Sequence, residues 1–162
     1  MKKVLVIALA VILVVSAVCV LAACDNGEVY EGECHYENKW STATPKPIYG
    51  VKVDVTVKNG IIKSVKLYTD EETGWDRTSE GWTENQNPGD LGHDKAEAAY
   101  TKWINDNIVG QTVETVKGWT ATATEEGQSV GADTPKITGA TQSTARIIVA
   151  VQNALSKIPA AE

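Results

Sequence analysis

The chain has no phenylalanine, and Met1 is its only methionine. Aromatic packing therefore falls to Trp and Tyr, so each of these is first a packing residue and only second a binding one. Histidine is scarce: His35 and His93 are the only two. Cysteine is confined to positions 19, 24 and 34. No spacing of three or four ligands therefore describes a metal site, and Cys34-His35 reads as a packed thiol beside a surface imidazole. Runs of one charge are missing too. Acids and bases are scattered, as on a solubilising surface, and the net charge of −6 argues against nucleic acid and against a basic membrane-surface patch. No general base, nucleophile pair or metal cluster stands out that would make a self-sufficient enzyme.

The one long hydrophobic run is N-terminal. Lys2 and Lys3 precede Val4 to Val20, which is apolar apart from Ser16. This is the pattern of a secretory signal ending at small residues. Leu21-Ala22-Ala23-Cys24 resembles the bacterial lipobox, in which the cysteine is lipidated and becomes the mature N-terminus. A plain transmembrane anchor is the alternative, because about 18 to 20 apolar residues span a bilayer. The small residues set directly before a cysteine favour the lipoprotein. The expected organisation is a signal peptide over 1–23, a lipid-anchored tether over 24–29 with lipidation at Cys24, and one domain over 30–162. The domain would lie outside the cytoplasm, lipid-anchored to the cell membrane. Without Lys2 and Lys3 the balance is 13 basic to 21 acidic residues, or −8. Cys19 leaves with the signal and Cys24 takes the lipid, so Cys34 has no intramolecular disulfide partner.

Tyr30 to Tyr36 alternates loosely, as a first strand does. Val51, Val53, Val55 and Val57 alternate with Lys52, Asp54, Thr56 and Lys58, a half-buried strand. Asn59-Gly60 and the run Ile61 to Tyr68 complete a hairpin. A two-residue loop sets Val55 opposite Ser64. A three-residue loop with Gly60 left-handed in a bulge sets Val57 opposite Ile61 and Val53 opposite Val65, with Lys63 the single misfit. The three-residue loop is the expectation, because it gathers the apolar sets on one face.

Asp70 to Gly92 reads as a long polar loop carrying Trp75 and Trp82. A helix follows from Asp94 to about Val109, stopped by Gly110, and Thr112 to Lys117 reads as a short helical turn. Trp119 to Thr124 alternates as a strand. Gln142 to Lys157 is the last helix, with Ile147, Ala150, Val151, Ala154 and Leu155 on one face. Hairpins and separate helices without strand–helix alternation predict an α+β domain. Its antiparallel curled sheet would be built on the hairpin at about 51–68, with main helices at about 94–109 and 142–157.

Several motifs occur in a telling order: Tyr30-Glu31-Gly32, then Tyr49-Gly50 leading through the hairpin to Leu67, then Glu72-Thr73-Gly74, then Thr138-Gly139-Ala140-Thr141 before an alanine- and valine-rich helix. In this order they resemble the extracytoplasmic FMN-binding domain of the flavin subunits of ion-translocating oxidoreductases and of small bacterial lipoproteins. The resemblance spans most of residues 30 to 157. It implies FMN joined through a phosphoester to Thr141 by a flavin transferase, or held non-covalently where the transferase does not act. It also implies electron transfer from a membrane donor. Thr138, Gly139, Ala140, Thr141, Ser143, Glu72 and Thr73 would bind the cofactor, and Trp75, Trp82 and Tyr49 are candidate stacking surfaces. The chain departs from the family at Pro135, where an Asp is usual; Asp133 lies two residues upstream.

The residues themselves allow this chemistry. Gly139 lets backbone approach a phosphate, and the N–H groups of a helix start attract one. Thr141, Ser143 and Thr144 are equally good N-cap types, so an ordinary helix cap is the competing reading of the motif. A non-redox binding or surface-antigen lipoprotein with the same fold is the competing reading of the chain.

Overall fold

A computed structural model describes residues 27–37, 39, 41–46, 48–68, 70–74 and 93–159. Residues 1–23, expected to be a signal, and Cys24, Trp75 and Trp82 lie outside the described residues. Among those described, no helix is long and apolar enough to cross a membrane.

The chain folds as an α+β domain. Three antiparallel strands, β1 (Glu28–Glu37), β2 (Ile48–Lys58) and β3 (Ile61–Leu67), form one sheet in the order β1-β2-β3. A short helix α1 (Asp70–Thr73) follows, then α2 (His93–Asn107), α3 (Val113–Lys117), the hairpin β4 (Ala121–Thr124) and β5 (Gly127–Val130), and α4 (Thr141–Ser156). Helix α2 ends near Gly110, whose φ of +88° suits the left-handed stop after a helix. The β5 strand was not expected from sequence; it is short and, among the described residues, pairs only with β4.

Period-two alternation builds the sheet. Gly32 and Cys34 on β1, and Val51, Val53, Val55 and Val57 on β2, turn inward, while Glu31, Glu33 and Glu37 are exposed. The hairpin register corrects the expectation. Asn59 (φ +53°) and Gly60 (φ +72°) both adopt the positive φ of a tight two-residue turn, pairing Lys58 with Ile61 and Val57 with Ile62. The ladder then shifts, and Val55 pairs with Val65 and Val53 with Leu67. The bulge thus sits at Lys63, the misfit residue, rather than in the turn. Extruding Lys63 leaves Asn59-Gly60 its preferred geometry and still brings the apolar sets together.

Helix α4 is the centre of the molecule. It packs on β1 and β2 on one side and on β4 and β5 on the other. Every residue from Ser143 to Ile148 is buried, which one apolar stripe does not require and a helix enclosed between two sheets does. Its crossing over β1 is set by Gly32. A Cβ there would overlap the Ala150 carbonyl oxygen and lie 2.7 Å from both N and Cβ of Ala154. Polar side chains of α4 satisfy neighbouring backbone. Asn153 Oδ1 accepts from the Glu33 N–H at 3.2 Å, and Lys157 Nζ donates to the Glu31 carbonyl at 2.7 Å. Both groups lie on the open edge of β1, which they help to shield. Gln152 Nε2 donates to the carbonyls of Val116 (3.0 Å) and Trp119 (2.8 Å), tying α3 to α4.

These contacts orient α4 antiparallel to β1. Its C-terminal residues lie by Glu31, and Arg146 lies against Tyr36 and Tyr49 near the other end of the sheet. Thr141 is five residues further on, about 7.5 Å along the helix axis. The domain therefore has two poles. One holds Glu28, the Asn59-Gly60 turn and Ile158; the other holds Tyr36, Tyr49 and the start of α4.

Candidate functional site

The motif at Thr138 to Thr141 forms a locked turn. Ala140 N–H donates to the Ile137 carbonyl at 3.1 Å, and Gly139 has φ +80°, the conformation that favours glycine at the third position of a type II turn. Thr144, fully buried, holds this turn from inside the helix. Its hydroxyl donates to the Ala140 carbonyl at 2.8 Å and accepts from the Ile137 N–H at 3.3 Å. With both ends fixed, Thr138 and Gly139 are exposed, Ala140 is buried and Thr141 is half-exposed at the first helical position.

The cap reading of these threonines does not hold. The N-cap of α4 is Ala140, whose methyl side chain makes no capping hydrogen bond. Thr144 is spent on the turn behind it, and Ser143 is buried at 3% exposure. No acidic residue occupies the first turn of the helix. The first-turn N–H groups have no intrahelical acceptor, and no carboxylate of that turn offsets the positive end of the dipole. Short helix α3 provides a contrast, since Thr112 caps it by accepting from Thr115 N–H at 3.0 Å. The bare start of α4, with a half-exposed hydroxyl on it and a glycine beside it, fits a phosphate ester at Thr141.

The upstream segment is anchored separately. Thr134 is buried, and its hydroxyl accepts from the Thr120 N–H at 3.0 Å. This fixes the chain between β5 and the motif and leaves Asp133 and Lys136 exposed, with Pro135 half-buried.

Tyr49 pairs across the strands with Tyr36. Their rings meet edge to face at 6.1 Å, and the Arg146 guanidinium lies 5.2 Å from the Tyr49 ring and 5.6 Å from that of Tyr36. Arg146 is 1% exposed. Sequence periodicity gave no sign of this: a charged residue in a helix reads as surface. It is a buried cation held against two aromatic faces at the pole that carries the Thr141 turn. Next to it, burial pushes the Cys34 thiol up to about 11, against a smaller downward pull from Arg146. The Cys34 Sγ lies 3.8 Å from the Ala123 carbonyl oxygen, so the thiol is a core group between the two sheets.

Glu72 and Thr73 lie on α1, beyond the end of edge strand β3. Glu72 pairs with Lys66 at 3.7 Å. The strand directions carry α1 toward the pole that holds Tyr49 and the start of α4. It arrives on the β3 side of the sheet, whereas α4 lies over β1 and β2. The same side shows a surface cluster in which Tyr68 Oη donates to Asp54 Oδ2 at 2.6 Å, with Lys66 Nζ 4.0 Å from its ring centre. That hydrogen bond is the main reason the Tyr68 hydroxyl is raised to about 12.

Among the described residues, no group of three or more His, Cys, Asp or Glu side chains is placed to hold a metal ion. Compared with protein-family models, curated proteins and solved structures, the chain has no match in any of the three.

Proposed function

We propose that this chain is a lipid-anchored extracytoplasmic protein that carries FMN on Thr141 and relays electrons from a membrane donor to an extracytoplasmic acceptor. The observation that carries the reading is the uncapped start of α4, where a half-exposed threonine hydroxyl sits beside first-turn N–H groups without an intrahelical acceptor. The sequence motifs and the lipobox-like N-terminus supply the rest. FMN, when bound, supplies one- and two-electron redox chemistry.

The chain's own residues supply attachment and orientation. Thr144 fixes the turn, Gly139 clears space beside it, and Thr141 offers the hydroxyl that a flavin transferase esterifies. The α4 dipole favours a phosphate diester there by about 0.3–1 kcal/mol when exposed. Of the stacking candidates, Tyr49 is the one among the described residues, and it lies at that pole. The role is that of an electron-transfer protein rather than a self-sufficient enzyme.

The test is the intact mass of the soluble part, from Asp25 onward, co-expressed with a flavin transferase. A gain of one FMN less one water, abolished by Thr141→Ala, supports the reading. An unmodified protein that also fails to retain free FMN refutes it and leaves a non-redox surface lipoprotein, the reading that Pro135 at the usual Asp position favours.

A further inference from the structure

The two poles of the domain have different relations to the membrane. Strand β1 starts at Glu28, and the cleft of about 380 Å³ at that pole is lined by Gly27, Glu28, Lys58, Gly60 and Ile158. Only three residue steps separate Gly27 from Cys24, a span of at most about 11 Å when fully extended. Thr141 is at the other end of α4. From Ile158 to Thr141 the axis covers about 25 Å. A tether of about 11 Å attached at one pole does not let the opposite pole swing round to the bilayer. Tilting onto the side is opposed by charge, because the segment from Cys24 onward carries −8 and an anionic bilayer repels it.

We infer that the lipid-anchored domain holds Thr141 at its membrane-distal pole, so that the protein's electron donor meets it as a protein domain standing clear of the bilayer and not as a quinol dissolved within it. This rests on the lipid-anchor and flavin reading given above. The distal pole also leaves the Thr138–Thr141 turn open to a water-phase flavin transferase after the protein is anchored.

Helix α4 provides its own ruler. Gln142 and Ser156 are both exposed and lie on one helix, about 21 Å apart along its axis. The full-length lipoprotein, with a nitroxide on Gln142→Cys or on Ser156→Cys, is placed in phosphatidylcholine–phosphatidylglycerol vesicles containing a gadolinium-chelate headgroup lipid. The unsubstituted protein reports any labelling of buried Cys34. Several-fold stronger paramagnetic relaxation at position 156 than at 142 is expected. Equal relaxation, or stronger relaxation at 142, overturns the inference while leaving the anchor intact. Vesicle flotation of the same samples separates the two failures: protein that does not float with the lipid refutes the anchor reading, and the inference falls with it.

Discussion

Replacing Gly32 by alanine tests the central packing of the domain. The new Cβ would overlap the Ala150 carbonyl oxygen and approach N and Cβ of Ala154 to 2.7 Å. Ordinary contacts begin near 3.4 Å, and two of the three obstructing atoms belong to α4 backbone, which no rotamer change moves. The helix must therefore lift away from β1, loosening Ala150 and Ala154 and weakening the bonds from Asn153 and Lys157 to the strand edge. Overpacking of this kind costs typically 1–3 kcal/mol, and the backbone origin of the clash puts Gly32→Ala at about 3 kcal/mol. That is a large share of a domain stability of about 5–15 kcal/mol, and it corresponds to a fall in Tm of roughly 10 °C. Urea unfolding of the soluble domain, followed by tryptophan fluorescence, reads it as a lowered midpoint at unchanged slope. Gly127→Ala is the internal comparison, because a Cβ there meets nothing within 4 Å. A Gly32→Ala midpoint within error of the Gly127→Ala midpoint would refute the close-approach argument.

Thr144→Val keeps the shape of the buried side chain but removes the hydroxyl that both receives the Ile137 N–H and donates to the Ala140 carbonyl. The expected cost is about 1–3 kcal/mol in unfolding free energy and, under the flavin attachment proposed above, reduced esterification at Thr141, read by intact mass; a variant as stable as wild type removes Thr144 from its locking role. Cys34 gives a pH prediction. Burial raises its thiol from 9.0 to about 11 in the folded state. The stabilisation from keeping the thiol protonated is therefore complete below about pH 9 and is lost as pH rises through about 11. The slope approaches 1.4 kcal/mol per pH unit between those values. Cys34→Ala should flatten this part of the stability profile, and an identical profile in the variant would dismiss the thiol as its source. Burial raises both the Cys34 thiol and the Tyr36 hydroxyl, and Arg146 offsets part of that rise; Arg146→Met removes the offset, so the Cys34 thiol should titrate still higher, followed by its ultraviolet thiolate absorbance. No upward movement would contradict the placement of Arg146 beside it.

Much of the sheet was readable because strand periodicity is local. The alternation from Val51 to Val57 set which face is inward without reference to any other part of the chain. The position of the bulge was not local. Either the turn or Lys63 can absorb the extra residue, and the choice depends on the turn geometry of Asn59-Gly60 and on which side chains of β3 meet α2. The stripe from Ile147 to Leu155 announced α4, but not that residues 143–148 are buried all round. That follows from β4 and β5 closing over the helix, and the short β5 segment carries little periodic signal. Thr144 was visible only as a cap type, since its partners Ile137 and Ala140 acquire their positions from the turn.

Local patterns were enough for the α+β class, the strand faces, the places of the two long helices and the glycine-bearing start of the last one, because each depends on neighbours within a few residues. The packing of distant segments was needed to make Ala140 the N-cap of α4 and Gly32 a point of close contact between helix and sheet. It alone placed Arg146 between Tyr36 and Tyr49, and Thr141 and the start of β1 at opposite poles. Those facts are set by how α4 lies across β1, a relation between segments more than a hundred residues apart that no local pattern encodes.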